Sequence, residues 1–582
     1  MYTLKMATIQ SKISRGQKYW YVVESRRING KPRPVVLAYL GKANDLLNRL
    51  QGVTDAICLK SYSHGAVATM LTIAQKLDVC AIINTHVKSK RKHTAEKPMR
   101  NHLTAGATLL LSAIGRSCLP TSKRGWVNWA KTTSLEYLLK TNVSKMDSQH
   151  FWDQMDAIPI SAIEKIEEGL LKKVFELYQL QTDSLFYDTT NFFTYINTTN
   201  AHCTIALRGK NKQKRSDLRQ VGLALVVTRE DKIPLFHLTY EGNMADTKVF
   251  KTVIDKLKIR MQQLKLSCAE HTIVFDRGNN SKENMLLIIN ADLHYVGALT
   301  PYQQPELIDD ALNHFESLAD DAKCPVYRDK RTIWDCERTV VVYVSEKLKA
   351  GKIRGIYKTL ENTKKALTKL QGALLSKKAK KYGQSTLEAK IINMLHGQHM
   401  KQLILWTIIE TSEKKYQLQF SVDEIKLQEI ENEAGLRMIM TDHHDWSSEK
   451  IIKTYQGQAD IEHTFKNLKN PYHLTLKPQF HWTDQKITVH YFICMLGYLL
   501  TALAWREVKM KAGFDGTLDA LLDTLNNIRL ATLLEDTKSR GPMKAIYKLE
   551  EISASDKQLM ETLNILDFHE RRPKIQGVGV YT

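Results

Sequence analysis

Three acidic residues lie in separate, strongly patterned stretches of this 582-residue chain: Asp188 in FYDTTN, Asp276 in IVFDRGN and Glu462 in YQGQADIEHTFKNLK. An aspartate inside an apolar strand is costly to bury unless it is paired or bound to a metal ion. Magnesium prefers such oxygen ligands, and a pair of ions can activate an attacking oxygen and stabilise a leaving oxygen in phosphoryl transfer. The three carboxylates therefore predict a site for two Mg²⁺ ions, with Mn²⁺ as a substitute.

The stretch from Tyr455 to Lys469 predicts one amphipathic helix. At about 100° per residue, Tyr455, Gln458, Glu462 and Lys469 fall on one polar stripe beside an apolar face. The helix can therefore pack against a core while it presents Glu462 at a cleft. A solvated stripe on an ordinary helix is the alternative, and the two upstream aspartates favour the cleft.

The elements around Asp188 and Asp276 predict how these residues are positioned. From Ser184 the pattern indicates three strands in succession, a helix and a fourth strand. Asp188 lies inside the first of these strands, and Asp276 lies at the carboxyl end of the fourth. This is the order of an RNase H-like α/β domain, and the mixed pattern after residue 301 interrupts it before the Glu462 helix.

The periodicity of the whole chain divides it into six segments. We expect an N-terminal β unit with an Asn29-Gly30 hairpin (1–50), a helical DNA-binding region (51–180), the first part of the catalytic core (181–300), a mixed α+β insertion (301–430), the second part of the core with the Glu462 helix (431–505) and a helical tail (506–582).

The charge of the chain favours a polyanionic partner, because 84 Lys and Arg stand against 62 Asp and Glu, for a formal net charge of +22. Basic residues near the acidic motifs are candidates for DNA contacts: Lys214, Arg215, Arg277 and Lys466. A further basic run, Lys88, Lys90, Arg91 and Lys92, fits phosphate contacts and a solvated loop equally well.

Other sequence features argue against membrane, disulfide and zinc-finger classes. The eight cysteines contain no C-x-x-C pair and are expected to be reduced thiols. The N-terminus lacks the apolar core of a signal peptide, and the apolar stretch from Ile487 to Trp505 is interpreted as a buried helix. We therefore expect a cytoplasmic protein with no membrane partner.

At the acidic motifs the sequence resembles the DDE transposases of bacterial insertion sequences, in the subgroup with a long insertion before the glutamate and a Y-x2-R-x3-E-x6-K signature. Tyr455, Glu462 and Lys469 match this signature, and the surrounding stretches KRSDLRQVGLALVV, PLFHLTYEGNMAD and HWTDQKITVH match the family's patterns. One position departs from it, because Gln458 stands where the signature has arginine. Gln458 is still expected to lie against DNA with the rest of the stripe, but the departure puts the phosphate contact of the signature arginine in doubt there.

The resemblance implies hydrolytic cleavage at terminal inverted repeats, followed by attack of the freed 3′-hydroxyl on target DNA. It implies that Asp188, Asp276 and Glu462 hold two Mg²⁺ ions, and that Tyr455 and Lys469 contact phosphate near the scissile bond. It also implies double-stranded DNA as the partner, a homodimer in the DNA complex and a bacterial cytoplasm, where the bound protein is associated with the nucleoid.

Two other functions fit the same residues. A transposase-derived protein that binds DNA without cutting it would keep the fold, and Gln458 argues mildly for it, whereas the intact acidic triad argues against it. An RNase H-like nuclease would cleave without joining. The sequence leaves the end sequence, the target preference and the use of a hairpin during excision open.

Overall fold

The computed structural model describes residues 7–14, 17–28, 31–42, 57–87, 101, 103–211, 213–300, 304–318, 324–376, 382–412, 415–477, 479–535 and 544–578. The first elements form a three-stranded antiparallel meander of β1 (Ala7–Ser14), β2 (Gln17–Ile28) and β3 (Lys31–Lys42). Ile28 pairs with Lys31, so the strands agree with the predicted hairpin. The turn residues Asn29 and Gly30 lie outside the described residues, and so does the basic run from Lys88 to Lys92.

In the region predicted to be helical, the described residues form one strand followed by seven α-helices. Their bounds are β4 (Ile57–Ser63), α1 (Gly65–Lys76), α2 (Val79–His86), α3 (Ala105–Cys118), α4 (Trp126–Ala130), α5 (Leu135–Leu139), α6 (Ser148–Asp156) and α7 (Ile160–Leu177). Apolar residues recur at helical spacing through α1 and α3 and are buried, because both helices pack on several sides.

The next elements follow the predicted order: β5 (Ser184–Thr194), β6 (Arg219–Thr228), β7 (Pro234–Glu241), α8 (Asp246–Gln263), β8 (Thr272–Phe275), α9 (Lys282–Asn290) and β9 (His294–Leu299). β5, β6 and β7 are antiparallel neighbours, whereas β8 is parallel to β5 and β9 is parallel to β8. The order β7-β6-β5-β8-β9 agrees with the RNase H-like arrangement that the sequence predicted.

The segment expected as an insertion comprises α10 (Pro305–Asn313), β10 (Glu316–Ser317), β11 (Pro325–Ile333), β12 (Cys336–Val344), α11 (Glu346–Leu375), α12 (Gln384–Met394), α13 (Met400–Leu403), β13 (Ile404–Ser412), β14 (Lys415–Val422) and α14 (Glu424–Glu433). β15 (Leu436–Thr441) follows and pairs with both β9 and β12. The strands β10, β11, β12 and β15 therefore extend the five-stranded sheet to nine strands. The insertion was predicted to begin at residue 301, but the strands up to Val344 belong to the large sheet. Only residues 346–433 surround a small core of their own.

The remaining elements are α15 (Ser448–Gln456), α16 (Gln458–Lys469), α17 (Asp484–Ala512), α18 (Leu518–Asn527), β16 (Arg529–Glu535), β17 (Lys544–Leu549), α19 (Ala554–Thr562) and α20 (Phe568–Arg571). The tail was predicted to be helical, but it also contains two strands. β16 pairs with β17 and with β4, which lies near the other end of the chain. α17 is apolar and long enough to cross a membrane by length and composition, and its most apolar stretch is buried inside the protein, as predicted. α1 and α2 meet the same criterion only if they are counted together across a 59° bend.

Two large cores cover the faces of the nine-stranded sheet. On one face, α8, α9 and α10 pack against odd-numbered residues of β5 such as Leu185 and Tyr187. On the other face, helices from the N-terminal region, α16, α17 and the tail share one core with Phe186 and Phe192. The described parts of residues 51–180 and 506–582 therefore belong to one packed body, although the sequence predicted two separate segments.

Candidate active site

The pairing of β5 with β8 places the two aspartates side by side. In this parallel pair Ser184 is level with Thr272 and Phe186 with Val274. Continuing the one-to-one register by two residues brings Asp188 level with Asp276, on strands about 4.8 Å apart. The sequence had predicted the two strand positions but could not give this register.

Both aspartates point to the same face of the sheet. Side chains alternate along a strand, and Phe186 and Val274 belong to the core that contains the buried residues of α16. Asp188 and Asp276 are two residues further on and therefore face the α16 side. Asp188 is half-buried and its Oδ1 accepts a hydrogen bond from the Thr189 N–H at 2.7 Å, whereas Asp276 is exposed.

The helix that carries Glu462 is shorter than predicted. Tyr455 lies in the last turn of α15, Gly457 separates the two helices, and Gln458 begins α16. A Cβ atom on Gly457 would lie 2.6 Å from Cζ of the buried Phe186 ring. The missing side chain thus lets the junction of the two helices approach β5 closely.

α16 runs along β5 and is attached to it at both ends. At its start, Gln458 Nε2 donates to the Tyr187 carbonyl at 3.0 Å. At its end, Lys469 Nζ donates to Thr190 Oγ1 and lies 5.6 Å from the centre of the Phe192 ring. Glu462 lies one turn after Gln458 and is exposed, so the helix carries this carboxylate over the part of β5 that contains Asp188.

Tyr455 is connected to the acidic residues from the neighbouring helix. Its hydroxyl donates to Asp276 Oδ1 at 3.3 Å, and this oxygen also accepts from the Arg277 N–H at 2.7 Å. Burial, followed by the charge of Asp276, raises the pKa of Tyr455 above its ordinary value. The phenol therefore remains a hydrogen-bond donor, and its buried position differs from the predicted place on an open polar stripe.

Gln458 also differs from its predicted place. Its side chain is only 8% exposed, and its amide contacts the sheet rather than an open cleft. Oε1 of Gln458 is buried and has no hydrogen-bond partner among the described residues. The expectation that Gln458 lies against DNA is therefore not met by this geometry.

The predicted basic residues lie near the ends of the strands that carry Asp188 and Asp276. Arg277 follows Asp276 directly, Lys466 lies one turn after Glu462, and both are exposed. Lys214 and Arg215 lie in the exposed loop before β6. Arg215 donates two hydrogen bonds to Asp217, at 2.8 and 2.7 Å, which lower the pKa of Asp217 to about 2. Of the two loop cations, Arg215 is thus already engaged by a carboxylate.

The chemistry of the three carboxylates fits hard cations such as Mg²⁺ or Mn²⁺, because each offers only oxygen atoms. Their ligand atoms do not all lie within 4.8 Å of one another; among the described residues, the group that meets this spacing is His294, Asp442 and His443. A two-ion site spreads its ligands around metals about 3.5–4 Å apart and does not need all three carboxylates in mutual contact. The residues could hold such ions, whose chemistry would be phosphoryl transfer.

Exposed aromatic residues near these strand ends were not singled out from the sequence. Tyr195, just after β5, is 56% exposed and lies 5.9 Å from the ring of Phe480, which is 58% exposed. Tyr472 and Trp482 are also exposed. Large aromatic residues next to Lys469 and outside any apolar periodicity are the signal that could have identified them.

Comparison with curated proteins finds no match to the sequence. Among solved structures, a piggyBac transposase synaptic complex with hairpin DNA is similar over 80% of this chain and 79% of that chain, at 9% identity and a TM-score of 0.38.

The family model described as a transposase DDE domain matches residues 198–478. The match includes Asp276 and Glu462 and begins ten residues after Asp188. Residues 198–478 are thus similar to the transposase DDE domain, and this similarity supports a DDE transposase family.

Proposed function

We propose that this protein is a DNA transposase that binds the terminal inverted repeats of a bacterial insertion sequence, cleaves the ends and joins their 3′-hydroxyls to target DNA. The observation that carries the proposal is the register of β5 and β8, which sets Asp188 level with Asp276 on the face where α16 packs. α16 carries Glu462 along the same face. The match to the transposase DDE domain supports the same class of reaction.

In this proposal Asp188, Asp276 and Glu462 would hold two Mg²⁺ ions. When bound, such ions supply activation of the attacking oxygen and stabilisation of the leaving oxygen. Tyr455 orients the Asp276 carboxylate through its hydroxyl. Lys466 and Lys469 lie on the same helix as Glu462, and in this proposal they would contact the phosphates flanking the scissile bond.

The helical body that includes residues 51–180 is proposed to recognise the end sequence, and the net charge of +22 supports a DNA partner whose binding weakens with salt. The protein would act as a homodimer on paired ends, in a bacterial cytoplasm. The aromatic residues Tyr195, Tyr472, Phe480 and Trp482 extend the proposed DNA surface beyond the basic residues.

The test is to compare Asp188→Asn, Asp276→Asn and Glu462→Gln in a gel shift and in a cleavage assay on the element's own ends. Each change removes a negative charge with little change in volume, so we expect cleavage to be lost while end binding is kept. Asp460→Asn is the matched control, because Asp460 lies on the same helix and pairs with Lys232 at 3.2 Å instead. This control should cleave normally.

Several results would change the assignment. Cleavage that survives in one of the three variants removes that residue from the site. Cleavage without joining by the unmodified protein identifies a nuclease, and end binding without cleavage in either Mg²⁺ or Mn²⁺ identifies a DNA-binding derivative. Terminal inverted repeats that flank the gene would support the transposase.

A further inference from the structure

A second group of possible metal ligands lies near β8 and β9, at the opposite ends of these strands from Asp276. His294 begins β9, next to the start of β8, and Asp442 and His443 directly follow β15. β15 is antiparallel to β9, with Thr441 paired to Val296, so the end of β15 meets the start of β9. Asp276, in contrast, follows the other end of β8.

The three side chains are close enough to share one ion. One ligand atom from each of His294, Asp442 and His443 lies within 4.8 Å of the other two. His294 Nδ1 is 2.8 Å from Asp442 Oδ2. Two ligands of a tetrahedral zinc ion with bonds of about 2.0 Å are about 3.3 Å apart, so a small adjustment admits an ion.

Neighbouring groups hold these ligands in place. The Tyr295 N–H donates to Asp442 Oδ1 at 3.0 Å, and the Thr272 hydroxyl contacts His443 Nε2 at 2.9 Å. A histidine that binds a metal through one ring nitrogen usually has its other nitrogen in such a hydrogen bond. The contact from Thr272 can therefore orient the His443 ring for an ion.

The surroundings leave the group accessible. The His443 ring stacks on Trp446 at 3.7 Å, and all three ligand residues are only partly buried. Water can thus complete the coordination of an ion. The next residue, His444, is bonded to Thr339 at 2.9 Å and is not part of the group.

We propose that His294, Asp442 and His443 form a Zn²⁺ site that is separate from the acidic site and links the segment between β15 and α15 to β9. Imidazole ligands suit zinc and similar transition metals, whereas Mg²⁺ takes oxygen ligands. The linked segment leads into α15 and α16, so zinc would stabilise the position of the two helices that carry Tyr455 and Glu462. The proposal stands whether or not the protein transposes DNA.

The test uses the full chain carrying Asp188→Asn, Asp276→Asn and Glu462→Gln, so that the acidic site contributes little zinc binding. Zinc content after equilibrium dialysis and the melting temperature with Zn²⁺ or EDTA are measured in this parent and in added variants. We expect His294→Gln to remove one zinc ion per chain and most of the zinc-dependent rise in melting temperature. His294→Gln keeps a polar side chain beside Asp442 and limits the effect on folding.

Two further variants sharpen the comparison. His444→Ala is the matched control and should keep the ion, because this histidine is directed to Thr339. Thr272→Val should weaken zinc binding by about 10- to 100-fold without abolishing it, as expected for a group that only orients a ligand. Co²⁺ in place of Zn²⁺ should give a visible spectrum that changes in His294→Gln.

The proposal would be overturned if His294→Gln and Asp442→Asn each kept the zinc content and the zinc-dependent melting temperature of the parent. It would also be overturned if the parent bound no zinc beyond what these two variants bind. Either result would make the group a hydrogen-bonded cluster that fastens the loop after β15 without an ion.

Discussion

The close approach of Gly457 to the sheet predicts that Gly457→Ala impairs DNA cleavage more than it impairs folding. The added methyl group would lie 2.6 Å from Cζ of Phe186, and ordinary contact begins at 3.4 Å. Phe186 is fully buried, so its ring has little room to move. We therefore expect the junction of α15 and α16 to shift away from β5 by about 0.8 Å, the difference between these two distances.

The effect on stability is the difference between two opposing contributions. Gly457 has helical backbone angles (φ −59°, ψ −14°), so alanine gains about 1 kcal/mol of helix propensity. Overpacking against a buried ring costs about 1–3 kcal/mol. The free energy of unfolding should therefore fall by only about 0–2 kcal/mol.

The effect on activity is larger because Glu462 moves with α16. A shift of about 0.8 Å would lengthen the 3.0 Å bond from Gln458 to the Tyr187 carbonyl beyond hydrogen-bonding distance. A misplacement of about 1 Å can cost about 100-fold in rate. We expect cleavage of the element's ends to slow by about this factor while the gel shift of the same DNA is unchanged.

Single-turnover cleavage and thermal unfolding measure the two effects. Gly355→Ala is the matched control, because Gly355 lies in α11 and a Cβ there meets nothing within 4 Å. The control should cleave normally. Adding Phe186→Leu to Gly457→Ala should restore part of the rate. Full cleavage activity in Gly457→Ala would refute the inference that this contact sets the position of Glu462.

Three further predictions concern burial and shared cores. Gln458→Arg should lower the free energy of unfolding by about 1–3 kcal/mol, because it places a cation at a helix N-terminus where the native side chain is only 8% exposed. It should leave the salt dependence of DNA binding unchanged. A steeper salt dependence would put position 458 against DNA. The isolated fragment 1–180 should lack cooperative unfolding in circular dichroism, since its helices share a core with α17 and the tail; a folded fragment would contradict this. Burial, and then the nearby His569, lowers the pKa of His64 to about 3. As the pH falls below about 6.5, His64 therefore takes up a proton in the unfolded chain but not in the native protein. Stability should therefore fall with decreasing pH, by about 2 kcal/mol at pH 5 from this residue, and urea unfolding of His64→Gln should show a smaller loss.

Local sequence patterns were sufficient to predict the elements of the candidate site. Alternation of apolar and polar residues is a short-range property, so the strand around Asp188, the strand before Asp276 and the amphipathic helix of Glu462 could all be predicted. The succession of three strands, a helix and a fourth strand along the chain could be predicted in the same way. The buried state of α17 also followed, because polar residues interrupt its apolar stretch.

Which residues meet depends on contacts between segments that are far apart in the chain. The pairing of β5 with β8 sets Asp188 beside Asp276. The burial of Gln458 and the close approach of Gly457 to the sheet come from packing against Tyr187 and Phe186. The joining of β4 to β16, and the meeting of His294 with Asp442, likewise require segments separated by more than a hundred residues to pair. Periodicity indicates which face of a helix or strand is apolar. Which other element packs against that face depends on the packing of the whole chain.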